Sequence, residues 1–478
     1  MSRKKDDEKG TKFLIKTMKK VAFHNLGCKV NSYEMEVMQQ IIQKSDYEIV
    51  QFTQKADVYI VNTCTVTNIA DRKSRQMLHR AKQLNPEAVV VAVGCYAQTG
   101  SDILEKDDAV DIIVGNNNKT KIAEILDDYF KAREEEKAPT EKLSVITDLT
   151  GPSEYENGCV SRGESRTRAD VKIQDGCNQF CSYCAIPLAR GRVRSRKPED
   201  VIEEIKTLAK NGHREIVLTG IHICSYGIDF DEDGGLRGDY RGQTKLFDLV
   251  EMIDKAIPED EITGIRLGSL EPRVINSENV KRLVKIKRVC PHFHLSLQSG
   301  CDETLKRMNR HYTTAEYRKC VELIRKAYGK AGRSVSITTD VIVGFPGETE
   351  EEFETTRAYL EDLKLYEMHI FKYSRRKGTV ADRLPGQLTD SEKSKRSDIL
   401  IEMTNRHSLE TRARFVGKEL SVLVEEEKQG MYIGHTPDYI KVCFDAKKAR
   451  KTFPQDLSGK TVTVLGMKLA KDMIIAEI

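Results

Sequence analysis

No apolar run in the 478 residues approaches the roughly 20 residues a membrane-spanning helix needs, which excludes a helical membrane protein. The opening residues, MSRKKDDEKG, mix charges of both signs with no apolar stretch behind them, so they do not read as a secretory leader. Residues 1–18 read as a mobile tail. Neither sign of charge is in large excess. The net charge of +4 permits a polyanionic partner without requiring one. No long internal repeat and no low-complexity tract is seen. What the chain does have is cysteine, 12 of them. Without an export signal the expected setting is a reducing cytoplasm and no membrane. There, spaced cysteine clusters point to metal binding or catalysis rather than disulfides.

The length fits about three domains. In residues 20–130, short apolar runs (VAFHNLG at 21–27, DVYIVNT at 57–63, AVVVAVG at 88–94, DIIVG at 111–115) are separated by helical stretches near 33–44, 69–83 and 118–132. That alternation predicts a parallel sheet with helices on its faces, assigned to residues 19–131. Residues 132–162 read as a linker. A second βα series occupies 163–400, with strands near 171–176, 215–220, 264–269, 293–298, 337–345 and 367–373. It predicts a complete or partial α/β barrel, whose function would sit on loops at the carboxyl ends of its strands. Residues 411–478 alternate in short runs (LSVLVEE, YIKVCF, TVTVLGM) and predict a small antiparallel barrel. The fold class is therefore α/β with a carboxyl-terminal β-barrel.

In GCNQFCSYC, Cys177, Cys181 and Cys184 have C-x3-C-x2-C spacing directly after the first strand of the second series. Three thiolates on one loop can hold three irons of a 4Fe–4S cluster and leave the fourth iron open. A structural zinc site would want a fourth ligand, and none follows in this loop. The loop resembles the signature of the radical S-adenosylmethionine (SAM) superfamily. In that superfamily the open iron binds SAM, and Tyr183 matches an aromatic near its adenine. Cys28, Cys64 and Cys95 each follow the end of a predicted strand, in NLGC, VNTC and AVGC. Parallel strands would bring these loops to one sheet edge and form a second three-thiolate site. The alternative is three unrelated buried cysteines.

HNLGCKVNSYE, VNTCTVT and VAVGCYAQ resemble the signature segments of the methylthiotransferase amino-terminal domain. The similarity continues through QDGCNQFCSYCAIPLARGRVRSR, LTGIHICSYGID, RLGSLEP, LSLQSGCDETLKRMNRHYT, DVIVGFPGET and YSRRKGT, over about residues 20–478. Gly27-Cys28-Lys29-Val30-Asn31, with Tyr33 and Glu34, resembles the bacterial members that modify N6-threonylcarbamoyladenosine in tRNA. Ser32 and Lys372 depart from common family residues. The resemblance implies two 4Fe–4S clusters: a radical SAM cluster on Cys177, Cys181 and Cys184, and an auxiliary, sulfur-carrying cluster on Cys28, Cys64 and Cys95. It implies two SAM per turnover, one for a methyl group and one for the radical that takes hydrogen from adenine C2. It also implies a methylthio group placed on C2 at position 37, a tRNA anticodon loop as partner, and an electron donor and a sulfur donor. Methylthiolation of isopentenyladenosine, or of a ribosomal protein aspartate, stays open as an alternative. So does an RNA-binding iron–sulfur protein without catalysis.

Strand-end loops offer Thr219, Gly220, Ser269, Glu271, Gln298 and Asp340 as SAM contacts, since the ribose hydroxyls and the amino group suit carboxylates and amides. Gly344 and Gly347 read as turn residues, and His222, His292 and His294 as structural histidines without metal. Arg190, Arg192, Arg194 and Arg196 recur every second residue. In an extended chain this puts four guanidinium groups on one face, suited to phosphates of an anticodon loop or to the SAM carboxylate, the alternative being a solvated basic edge. The carboxyl-terminal segment resembles a TRAM domain, an RNA-binding barrel, at Phe415, Gly417, Glu425, Tyr432, Gly434 and Tyr439, with Phe415 expected in its core.

Overall fold

Strands covered on both faces must be apolar throughout. Val58–Thr63 and Val89–Gly94 meet this requirement, and every residue in them is buried. They are central strands in the computed structural model, which describes residues 18–135, 142–151, 153–163, 167–230 and 244–478. All but one residue of the tail read at 1–18 lies outside the described residues. The amino-terminal sheet contains β1 (Lys19–Asn25), β2 (Tyr47–Val50), β3 (Val58–Thr63), β4 (Val89–Gly94), β5 (Ile112–Val114) and β6 (Leu143–Val145). All are parallel, in the order β2-β1-β3-β4-β5-β6. Helices α1 (Lys29–Gln43) and α2 (Asn68–Leu84) connect the early strands. Alternate residues feed two separate cores: Val58, Ile60, Val91 and Val93 on one face, and Tyr59, Val61, Val90 and Ala92 on the other.

The edge strands β2 and β6 were not expected. β6 lies within the segment read as linker, so the amino-terminal sheet extends past residue 131. A three-residue strand flanked by charged residues carries too little periodicity to be read. It forms because its backbone completes an edge, with Gly115 N–H donating to Val145 O at 2.9 Å.

The central domain is a partial barrel of six parallel strands: β7 (Arg168–Asp175), β9 (Glu215–Gly220), β10 (Gly264–Leu267), β11 (His292–His294), β12 (Ser336–Val343) and β13 (Glu367–Lys372). The short β8 (Arg194–Ser195) runs antiparallel to the end of β7. Two sheets, β10-β9-β7-β8 and β11-β12-β13, meet through isolated bridges from Ile265 to Val289 and from Leu270 to Leu295. Ala169, Val171, Ile173, Ile216, Leu218, Ile337 and Val341 face the surrounding helices in one core. By the two-residue period, Arg168, Asp170, Lys172 and Gln174 of β7 then face inward.

After the helix Asp390–Ala413, five strands close a small barrel: β14 (Glu419–Lys428), β15 (Met431–His435), β16 (Lys441–Asp445), β17 (Thr461–Leu469) and β18 (Ile474–Glu477). Its pairings are antiparallel except β16 with β18, a parallel pair. This barrel is seated on the central domain by Tyr439. The Tyr439 ring stacks between His292 (4.8 Å) and His435 (4.7 Å), with the Arg266 guanidinium 4.5 Å from its centre. Glu425 accepts from Arg168 at 2.9 Å in the same seam. Two residues of the RNA-binding pattern are therefore spent between domains, Tyr432 is wholly buried, and Phe415 packs against the barrel core as expected. Among the described residues no helix is long and apolar enough to cross a membrane.

Candidate functional site

The three amino-terminal cysteines converge because β1, β3 and β4 are neighbours and each ends at one of them. Cys28 caps α1, Cys64 follows β3 and Cys95 opens the helix Cys95–Thr99. The turn before Cys28 needs glycine: Gly27 has φ +118°, and a Cβ there would lie 3.1 Å from Cys64 Cβ. Asn31 locks the loops together by donating to Leu26 O (2.7 Å) and Thr63 O (3.0 Å). Asn62 donates to Asn31 O at 2.8 Å. Burial pushes the Cys64 thiol up to about 11, and the neighbouring Cys95 and Cys28 add to the rise.

The second trio lies on the loop after β7. Cys177 N–H donates to Gly191 O at 3.0 Å. The segment 307–310 anchors the loop: Ser182 Oγ donates to Arg307 O (2.8 Å) and Asn309 to Phe180 O (3.0 Å). Burial and the two neighbouring thiols drive Cys177 well above the ordinary thiol range. Cys184 rises to about 12, through burial and then Cys181.

Each trio has a buried arginine directed at one sulfur. Arg190 Nε donates to Cys95 Sγ at 3.2 Å and Arg310 Nη1 to Cys181 Sγ at 3.1 Å. Arg190 also binds Glu34 (2.7 Å), Asn31 (2.7 Å) and Asp175 (3.1 Å). Around it, Lys119 and Lys172 pair with Glu34, and Lys172 and Arg194 with Asp175. Two buried carboxylates thus face four buried cations. Burial alone would raise the Glu34 carboxyl, but the cations outweigh it and hold it well below its usual range. The surplus positive charge beside Cys95 matches an anionic thiolate centre. Neutral thiols would leave it uncompensated. The donor sets, three sulfurs each with a cation alongside, fit iron–sulfur groups, whose binding would release the thiol protons.

The expected SAM contacts gather at the same end of the central barrel as Cys177, Cys181 and Cys184. Thr219 and Gly220 end β9, Ser269 is exposed after β10, and Tyr183 meets Phe345 edge-on at 6.5 Å. Gln298 adopts φ +73°, and its backbone donates to Asp340 O at 2.9 Å. Glu271 is already engaged by Arg310 at 2.6 Å and Asp340 by His294 at 3.2 Å. Gly344 (φ +70°) and Gly347 (φ +76°) are turn residues as expected. His222 and His292 are held by Ser225 and Thr338. His294 instead joins Asp340 and His369, each offering a ligand atom within 4.8 Å of the others.

The arginine row is not a face. Arg190, Arg194 and Arg196 are buried, and Arg196 is bound by Glu204; only Arg192 is partly accessible, its guanidinium 4.7 Å from the Phe180 ring. The chain is not extended here: the helix Ile186–Arg190 ends at Gly191 with φ +66°. Sequence reasoning missed Arg310, Lys119, Lys172 and Asp175. Only the MNRHY segment, close behind LSLQSGC, signalled the first.

Residues 20–115 match the family described as uncharacterized protein family UPF0004, and residues 171–360 match the radical SAM superfamily. Over 456 residues the chain is 38% identical to threonylcarbamoyladenosine tRNA methylthiotransferase MtaB of Bacillus subtilis (strain 168), covering 94% of each. The protein of the same name from Aquifex aeolicus (strain VF5) is 38% identical over 88% of this chain and 96% of its own. A tRNA-2-methylthio-N(6)-dimethylallyladenosine synthase of Thermoanaerobacter sp. (strain X514) is 34% identical over 84% and 80%. The solved structure of the radical SAM methyltransferase TsrM from Kitasatospora setae, with cobalamin and a 4Fe-4S cluster bound, is similar in fold. Its TM-score is 0.53 at 15% identity, over 87% of this chain and 80% of that one.

Proposed function

Because this chain belongs to the radical SAM tRNA methylthiotransferase family, we propose that it adds a methylthio group to C2 of N6-threonylcarbamoyladenosine at position 37 of tRNA. The observation that carries the reading is the pair of cysteine trios, each with an arginine on one sulfur and both tied together through Arg190. In this reading Cys177, Cys181 and Cys184 hold the radical SAM cluster, and Cys28, Cys64 and Cys95 hold the auxiliary cluster. When bound, the clusters and two SAM per turnover supply the electron, the radical and the methylthio group.

The chain's own part is placement. Arg310 positions the Cys181 loop against Glu271. Arg190 fixes the amino-terminal cysteines to the start of that loop through Asp175. Thr219, Gly220, Ser269, Gln298 and Tyr183 line the strand ends where SAM would lie. The anticodon loop brings the adenine to them, water is excluded and effective concentration is gained. An electron donor and a sulfur donor complete the cycle in the cytoplasm.

The test is nucleoside mass spectrometry of tRNA incubated anaerobically with reconstituted enzyme, SAM and reductant. Formation of 2-methylthio-N6-threonylcarbamoyladenosine supports the reading. Its absence, with 5′-deoxyadenosine still formed, overturns the substrate assignment. About eight irons, falling to about four when Cys28, Cys64 and Cys95 are all replaced by alanine, is the expected metal content.

A further inference from the structure

We propose that Lys29 is the seat for the carboxylate of the adenosine's N6 substituent, and so selects threonylcarbamoyl over a hydrocarbon group. The inference rests on the functional reading above and goes on to name the residue that reads the substrate.

Lys29 follows Cys28 in the first turn of α1. That helix packs against β7 and β9 of the central barrel. The side chain is exposed, yet its charged neighbours are Asp170, Arg168, Arg266 and Glu215, the inward residues of three barrel strands. The ammonium is therefore accessible and lies within the field of these inward-facing groups, one residue from a cysteine of the auxiliary site.

Its freedom sets it apart. The other cations of this interior are committed. Arg168 and Arg266 both bind Glu215, Lys172 binds Glu34 and Asp175, and Arg310 binds Glu271. Among the described residues, no acceptor lies within bonding distance of the Lys29 ammonium. Asp170, its foremost opposite charge, makes no ion pair with it. A lysine is a compact point charge on a flexible stem, suited to meeting an anion delivered by a ligand.

The interior around it is polar, with Asp170 on one wall and His294, Asp340 and His369 on another. Such a lining suits a substituent bearing a carboxylate, a hydroxyl and a carbamoyl group. It would leave polar groups unpaired against a dimethylallyl chain, which is how a site rejects an apolar analogue.

The experiment uses anticodon stem–loop RNAs carrying N6-threonylcarbamoyladenosine, its methyl ester, or N6-dimethylallyladenosine. Binding to reconstituted wild type, Lys29→Met and Lys29→Arg is followed by fluorescence anisotropy, and turnover by mass spectrometry. Wild type is expected to bind the acid about tenfold or more tightly than the ester. Lys29→Met should bind both at the ester's affinity, and Lys29→Arg should recover most of the preference. Iron content equal to wild type separates loss of the seat from loss of the adjacent cluster.

A Lys29→Met protein that still prefers the acid overturns the proposal. So does a wild type indifferent to esterification, which decides the matter even if Lys29→Met fails to hold iron. A wild type that binds the acid preferentially but methylthiolates none of the three RNAs overturns the functional reading and leaves this seat standing as a binding site.

Discussion

Arg190 Nε donates to Cys95 Sγ across 3.2 Å, although the two residues are 95 positions apart and on different domains. The same guanidinium reaches Glu34 and Asn31 on α1 and Asp175 at the end of β7. One side chain therefore joins the amino-terminal cysteines to the strand that launches the other cysteine loop. Any shift of one domain against the other would break several charge-assisted bonds in a dry setting, where they are strongest.

Replacing Arg190 with alanine should accordingly do two things. It removes the guanidinium's bonds to Glu34, Asn31 and Asp175, each worth about 1.5–3 kcal/mol for a hydrogen bond to a charged group, while Lys119, Lys172 and Arg194 still face the two carboxylates. It also removes the cation from Cys95. The expected outcome is a drop in melting temperature, and iron content falling towards about four, the number proposed for Cys177, Cys181 and Cys184. Full iron and an unchanged melting curve would refute it.

Much of this was legible in the sequence. The cysteines could be placed because a parallel βα sheet delivers successive strand ends to one edge, and NLGC, VNTC and AVGC mark those ends. Arg190 could not be. Its spacing from Arg192, Arg194 and Arg196 looks like an extended basic edge. Its true partner Glu34 lies 156 residues away, and nothing local announces it. Gly191 was the local hint: at φ +66° it turns the chain, and a Cβ there would meet Leu149 O at 2.1 Å. Tyr439 meets a similar limit: its place in the TRAM pattern is legible, but the docking of that barrel onto His292 and Arg266 is a tertiary fact.

Glu215 holds the seam beneath Tyr439. Burial alone would raise its carboxyl, but Arg266 and Arg168 outweigh burial and hold it at about 2. Its unfolded value is about 4.3, so its contribution to stability is complete above that pH and is lost as pH falls towards 2. Wild type should lose stability between about pH 4.5 and pH 2 more steeply than Glu215→Gln. The variant should already be weaker at neutral pH, because Arg266 loses the carboxylate it binds while Arg168 keeps Glu425. Parallel stability curves, followed by denaturant unfolding across that range, would count against this role.

Arg192 is the one member of the arginine row with solvent access, held over the exposed Phe180 beside the cysteine loop. If it meets a phosphate, Arg192→Ala should weaken tRNA binding modestly and reduce the salt slope of log K by about one. Melting temperature and iron content should not change. Arg194→Ala and Arg196→Ala should behave oppositely, lowering stability because their partners Asp175 and Glu204 are buried. An unaltered slope for Arg192→Ala would remove the last member of the row from RNA contact.

Arg310 offers the mirror image of Arg190. It donates to Cys181 Sγ at 3.1 Å, pairs with Glu271 at 2.6 Å and lies 4.9 Å from the centre of the Tyr312 ring. Because Arg310 serves both Glu271 and Cys181, Arg310→Ala takes the guanidinium from the buried Glu271 carboxylate, which keeps His222 Nε2 at 3.6 Å, and leaves the cysteine loop without this cation. The variant should retain about four irons, now on Cys28, Cys64 and Cys95, and should release no 5′-deoxyadenosine from SAM. Arg190→Ala should retain the complementary set and still release it. The two variants therefore separate the centres by arginine alone, with all six cysteines intact. Loss of the same iron from both would show that the trios are not independently supported.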